Sequence, residues 1–172
     1  NAMAVMKYLS DNNIRFENTE VRAVLTGSEE AGLRGAKAYA KKHYEECMEV
    51  ETVFLGFDTM RDYDDMAIYS RDMTGTVKND IRVCRLMKKA GEHAGLDLSF
   101  KSVFFGSSDA AAISQAGIPG ATFAAMDPTP ARYYHTRLDT ADNLDPKMIE
   151  AGINLSLETV YLFDQEGLKE TY

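Results

Sequence analysis

Two adjacent glutamates, Glu29 and Glu30, follow a short apolar run at residues 21–25. Asp58 closes a second apolar run at residues 51–57, and Ser107, Ser108 and Asp109 follow a third at 100–105. A fourth run, at 120–124, leads into a loop stiffened by Pro128 and Pro130 that carries Arg132, Tyr133, Tyr134 and His135. If these runs are parallel strands, the polar residues at their carboxyl ends gather on one edge of a sheet. Carboxylates and an imidazole without a thiolate suit a hydrolytic zinc, cobalt or manganese site.

Each feature also has a plainer reading. Glu29 and Glu30 can complement the positive end of a following helix, with Ser28 as its N-cap. Asp58 can close a turn. His43 and His93 lie where helices are expected to end, which suits solvated or capping roles. His135 differs, because it sits in a constrained loop after a strand, and a functional role is expected there.

The elements that must position these groups alternate. Helical spacing of apolar residues covers 3–9, about 31–42, 77–90, 108–115 and about 147–165, the last with Pro146 in its first turn. Strand-like runs fall at 21–25, 51–57, 66–69, 100–105 and 120–124. Alternating helices and strands imply an α/β domain, a three-layer αβα sandwich around a mostly parallel sheet.

The chain has 172 residues, of which 45% are hydrophobic and 27% charged. That length suits one domain, which would bury roughly 70% of its unfolded surface. With 19 Lys plus Arg against 27 Asp plus Glu, the net charge is -8. No basic stripe is present to displace phosphate counterions, so nucleic acid is not an expected partner. No apolar run approaches the roughly 20 residues of a membrane span. Cys47 and Cys84 form no C-x-x-C pair, which argues against a disulfide scaffold or thiolate zinc site and slightly favours the cytoplasm. Asn1 and Ala2 read as a cloning scar, leaving residues 3–172 as the domain.

The segment Gly27-Ser28-Glu29-Glu30-Ala31-Gly32-Leu33-Arg34-Gly35-Ala36 closely resembles the G-x-E-E-x-G-L-x-G-[AS] signature of the di-zinc aminopeptidases. That family includes bacterial leucyl aminopeptidases and glutamate carboxypeptidase-like peptidases. Asp58, Ser108-Asp109 ahead of Ala116-Gly117-Ile118-Pro119, Tyr134-His135-Thr136 and Asp139-Thr140 agree in order and spacing, so the resemblance runs over nearly the whole chain. It implies a zinc-dependent exopeptidase acting on peptide substrates, most simply an aminopeptidase, with two zinc ions per intact site. Glu29 would be the general base, Glu30 and His135 ligands of one metal, Asp58 the terminal ligand of the other, and Tyr134 an oxyanion donor. Asp109 would stand behind the ligands.

The family's first metal-binding segment, His-x-Asp, has no counterpart, since no histidine precedes His43. The simplest expectation is a C-terminal fragment lacking the first strands, with a naturally truncated pseudo-enzyme as the other account. Such a fragment would bind zinc weakly or not at all, show little activity alone, and self-associate through an exposed sheet edge. Two rival readings differ in class. One is a non-catalytic binding or assembly module on the same fold. The other is a serine hydrolase using Ser107 or Ser108, with His135 and either Asp127 or Asp139, though it lacks the G-x-S-x-G elbow. Arg132 or Arg137 could bind a substrate carboxylate, but solvated surface roles are the plainer reading.

Overall fold

β5 (Gly120–Ala124) is buried along its whole length, which is why its small and apolar residues run without polar alternation. It pairs parallel with β1 (Phe54–Phe57) on one side and antiparallel with β2 (Ala67–Asp72) on the other. β2 pairs parallel with β4 (Ser99–Ser102) and, at its end, antiparallel with β3 (Val77–Lys78). The structure, a computed structural model, describes residues 1–126 and 133–172.

Helices cover both faces of this sheet, as the alternation implies. On one face α3 (Ile81–His93) packs against α5 (Pro146–Glu166), and α1 (Ala2–Asp11) packs on α5. Their core joins Leu86, Met87 and Leu155 to Ile68 and Phe123 of the sheet. On the other face α2 (Arg34–Glu49) packs on α4 (Asp109–Gln115) through Leu33, Ala36, Ala40 and Ile113. Both cysteines are free and buried. The long last helix is capped by Asp145, whose carboxylate accepts from the Lys147 N–H, with Pro146 at the first position.

The sheet is mixed in direction. β1 and β5 run one way, β2 and β4 the other. This changes how the polar residues meet, because the end of β4 does not lie at the same edge as the ends of β1 and β5. Ser108 and Asp109 reach the site through the turn that follows β4 and the start of α4.

Several boundaries depart from the sequence reading. Residues 21–25 form no ladder and carry no strand, because a strand exists only through a partner's hydrogen bonds and none lies beside this run among the described residues. The helix expected from about residue 31 begins at Arg34 and runs to Glu49. Val77 and Lys78 belong to a hairpin, and the helix starts only at Ile81, where the Asp80 carboxylate caps the Arg82 N–H. The run at 100–105 pairs only as far as Ser102, and Phe104 and Phe105 are turned outward. The short run at 66–69 proves to be the start of the longer strand β2, which pairs on both sides.

The turn leading into α2 rests on a close approach at Gly35. Its N–H donates to the Gly27 carbonyl at 2.9 Å, and a Cβ at Gly35 would lie 2.5 Å from Gly27 O and 2.6 Å from Gly27 N. Both obstructing atoms are backbone, so Gly35→Ala has to push the turn away, with an expected loss of about 1–3 kcal/mol. A Cβ at neighbouring Gly27 meets nothing within 4 Å. Urea unfolding is therefore expected to separate the two variants, with Gly27→Ala within about 0.5 kcal/mol of the parent.

Candidate functional site

The loop from residue 27 to 33 holds its glutamates outside any helix. Ser28, Gly32 and Leu33 all have positive φ, at 56°, 98° and 57°, and Leu33 precedes α2 without a side-chain cap. The N-cap reading of Ser28 therefore does not hold, since the helix begins six residues later. A left-handed conformation at a serine and a leucine stores backbone strain, of about 1–3 kcal/mol each, and such strain concentrates where a chain must aim particular groups. Here it aims Glu29 and Glu30 to different places.

Glu29 points into a cavity of about 750 Å³ whose wall it shares with Thr26, Asp58, Asp109 and Thr122. Burial first, and then the nearby Asp58, Glu30, Asp109 and Asp72 carboxylates, push its carboxyl up to about 7. Asp58, just past the end of β1, is also raised, chiefly by burial, against hydrogen bonds from Thr59 that favour its charged form. The Thr26 hydroxyl donates to Asp109 Oδ2, while Asp109 Oδ1 is buried with no hydrogen-bond partner among the described residues.

Glu30 turns the other way, toward the loop after β5. Its Oε1 lies 2.8 Å from His135 Nε2, a contact between residues 105 apart in the chain. His135 has φ 57°, another left-handed residue outside glycine, and Tyr134 stacks on its ring with centroids 3.9 Å apart. Partial burial and the Glu30, Asp58 and Glu29 carboxylates raise the Tyr134 hydroxyl, which places that phenol beside all three. Glu29, Glu30, Asp58, Asp109, Tyr134 and His135 thus come into one neighbourhood. The tightest contact is Glu30 with His135; among the described residues no group of three His, Cys, Asp or Glu is positioned to hold a metal ion.

Asp72 escaped the sequence reading. It is fully buried at the end of β2, and its carboxylate accepts from the Met73 and Ser108 N–H groups and, at 2.5 Å, from the Ser108 hydroxyl. Ser108 Oγ also lies 2.7 Å from Thr122 Oγ1. This network anchors the start of α4 and with it Asp109. The signal was weak: Asp72 lies three residues past the 66–69 run, behind Ser70 and Arg71, because β2 continues to Asp72. It also counts against the serine-hydrolase reading, because the Ser108 hydroxyl is committed to a carboxylate and a threonine rather than to an imidazole. Asp127 and Arg132 lie outside the described residues, and Arg137 is exposed. His43 lies 3.0 Å from Glu46, which lines the cavity together with Arg22 and Val50, and His93, at the end of α3, lies 3.8 Å from Glu158.

Crowding of these carboxylates fixes a pH dependence. The Glu29 pKa rises from 4.5 to about 7 on folding, so between those values the folded chain holds a proton that the unfolded chain has released. Stability is therefore expected to fall as pH rises through that window in metal-free buffer. Thermal melts of Glu29→Gln should show a shallower decline than the parent, and parallel curves would contradict the assignment.

The model of peptidase family M28 matches residues 1–160. No curated protein matches by sequence. Among solved structures, an aminopeptidase from Aneurinibacillus sp. strain AM-1 is 27% identical with TM-score 0.64, covering 80% of this chain and 32% of its own. A zinc aminopeptidase from Bacillus subtilis is 26% identical with TM-score 0.63, covering 79% and 34%. A TET aminopeptidase from the marine sediment archaeon Thaumarchaeota archaeon SCGC AB-539-E09 shares the fold at TM-score 0.70 and 21% identity, covering 97% and 47%. The match extends over between about a third and a half of these structures. The chain belongs to peptidase family M28.

Proposed function

We propose that this chain carries most of the active centre of a zinc-dependent exopeptidase that removes N-terminal residues from peptides. The observation that carries the reading is the 2.8 Å approach of Glu30 to His135 beside the cavity holding Glu29 and Asp58. The donors fit zinc in kind, being carboxylates and an imidazole. Glu30 and His135 would hold one ion and Asp58 a second, and cobalt or manganese would suit the same donors. Catalytic zinc takes three protein ligands, so Glu30 with His135, and Asp58 by itself, do not complete either set.

Zinc in such a site supplies an acidified water and a polarised carbonyl. The chain's own residues do the rest. Glu29 takes a proton from the attacking water as its oxygen bonds to the scissile carbonyl carbon. The same carboxyl gives that proton to the leaving amine as the C–N bond breaks. A carboxyl raised toward neutrality by burial and like charges is suited to both halves of that task. The Tyr134 hydroxyl donates to the developing oxyanion, a contribution of a few kcal/mol in comparable sites. Asp109, held by Thr26 and by the start of α4, lines the far wall of the cavity.

The shortfall of ligands favours a second reading for the chain as it stands, a non-catalytic module on the same fold. Zinc titration by calorimetry with aminoacyl-anilide hydrolysis separates the two. The expected outcome is weak zinc binding that His135→Ala or Glu30→Ala abolishes and Glu29→Gln leaves intact. Any measurable hydrolysis should drop about 10²–10⁴-fold in Glu29→Gln. Two tightly held zinc ions would overturn the incomplete-site reading, and zinc binding indifferent to His135→Ala would overturn the ligand assignment.

A further inference from the structure

Glu30 and His135 meet at the surface, their side chains 70% and 54% exposed. An exposed pair of this kind contributes little to holding itself together, so the backbones that carry it set its geometry. The turn that carries Glu30 is pinned within itself. The Gly32 and Leu33 N–H groups both donate to the Glu29 carbonyl, at 3.0 and 2.7 Å. The Arg34 and Gly35 N–H groups donate to the Ser28 and Gly27 carbonyls, at 3.2 and 2.9 Å. Residues 27–35 thus form one hydrogen-bonded body with the start of α2, and its aim depends on what ties that body to the sheet.

The tie in front of the turn is made by side chains. Thr26 has no ladder partner among the described residues, and its hydroxyl donates to Asp109, the first residue of α4. Ser108 occupies the N-cap position of that helix, where a serine hydroxyl ordinarily accepts from a backbone N–H of the first turn. Here it makes no such bond and donates instead to Asp72 Oδ2, at 2.5 Å. A hydroxyl has one proton, so the 2.7 Å contact between Ser108 and Thr122 is a bond that Thr122 donates. Asp72 also accepts from the Ser108 N–H, at 2.9 Å. Asp72 ends β2 and Thr122 lies on β5, both fully buried, so the start of α4 is bolted to two neighbouring strands at once.

We infer that Asp72 is a positioning residue for the Glu30–His135 pair, acting through Ser108, Asp109 and Thr26 on the turn that carries Glu30. Each step of the path is a hydrogen bond or a peptide link: Asp72 to Ser108, Ser108 to Asp109, Asp109 to Thr26, and Thr26 into the turn. With a step removed, the turn stays folded on α2 and loses its aim. The inference concerns where Glu30 stands, so it holds equally for a zinc exopeptidase and for a non-catalytic module.

The test follows the His135 ring signals by carbon-edited NMR of the full chain, in metal-free buffer well below its melting transition. Glu30→Ala supplies the reference for a lost contact. Thr26→Val keeps the side-chain shape without the hydroxyl, and Asp72→Val removes the carboxylate. Each is expected to carry the His135 signals most of the way to that reference, and the double variant no further than either. Thr26→Ser keeps the hydroxyl, and Asp72→Asn still accepts from both amides while its own amide donates to Ser108. Both are expected to retain the parent's signals. Leu155→Ala opens the core on the other face of the sheet and is expected to lower the melt while leaving His135 unmoved. Unmoved signals in Thr26→Val or Asp72→Val would overturn the path, as would additive movement in the double variant or equal movement in Leu155→Ala. If Asp72→Val does not fold, Ser108→Ala takes its place, and unmoved signals there overturn the Asp72 step. Zinc binding and hydrolysis do not enter this readout, so their absence counts against the exopeptidase reading alone.

Discussion

Negative charge packed into limited space is the constraint on which the rest of the site depends. Asp58, Asp109 and Asp72 lie close enough to Glu29 to raise its proton affinity, and Asp109 and Asp72 add to that of Asp58. The chain compensates them in different ways. Asp72, fully buried, accepts from two backbone N–H groups and a hydroxyl, which fix it in place. Among the described residues, Asp58 has help from its neighbour Thr59, and Asp109 has one oxygen satisfied by Thr26 and the other unpartnered. Glu29 is left to hold a proton near neutrality. Uncompensated charge of this kind is retained where protons or cations are to be handled, since a core built for stability alone would have replaced it with apolar groups.

Backbone strain serves the same end. Ser28, Leu33 and His135 adopt left-handed φ without being glycine, and they flank the residues that face one another. Glu29 and Glu30 are adjacent in sequence, and a regular helix would have set them about 100° apart on one exposed surface. The irregular turn instead sends one into the cavity and the other across to His135. Gly35, allowing the helix start to touch Gly27, is what lets the turn close.

The layered α/β arrangement was legible because its signals are local: alternating apolar periods, Asp145-Pro146 opening the last helix, and the fully apolar run that became β5. Most site residues were legible through the motif around Glu29-Glu30 and through their position just past apolar runs. Strand direction was not legible, since the pattern of a buried strand reads alike in either orientation. Ser108 and Asp109 were thus reached through a parallel-strand argument that β4, running opposite to β1, does not satisfy. Asp72 was hidden for a related reason, because β2 runs on past residue 69 into Arg71 and Asp72 and the short apolar run alone did not show where it ends. Residues 21–25 failed as a strand although their composition is right, because pairing is a property of two segments and periodicity reports only one.

That failure connects the sheet to the chemistry. The unpaired run and the open edge of β1 converge on the end where Glu29, Asp58 and Asp109 stand. The site is therefore carried on backbone of two kinds. Asp58 follows β1, whose ladder with β5 fixes it, whereas Glu29 and Glu30 follow a run tied down by side chains, Arg22 to Glu46 and Thr26 to Asp109. Side-chain ties of this sort fix the two ends of a segment without fixing every residue between, so the strained turn after residue 26 has to do the aiming that a ladder does for Asp58. The Glu30 contact with His135 then joins that turn to the loop after β5, and the two halves of the site are held by the same groups that perform its chemistry.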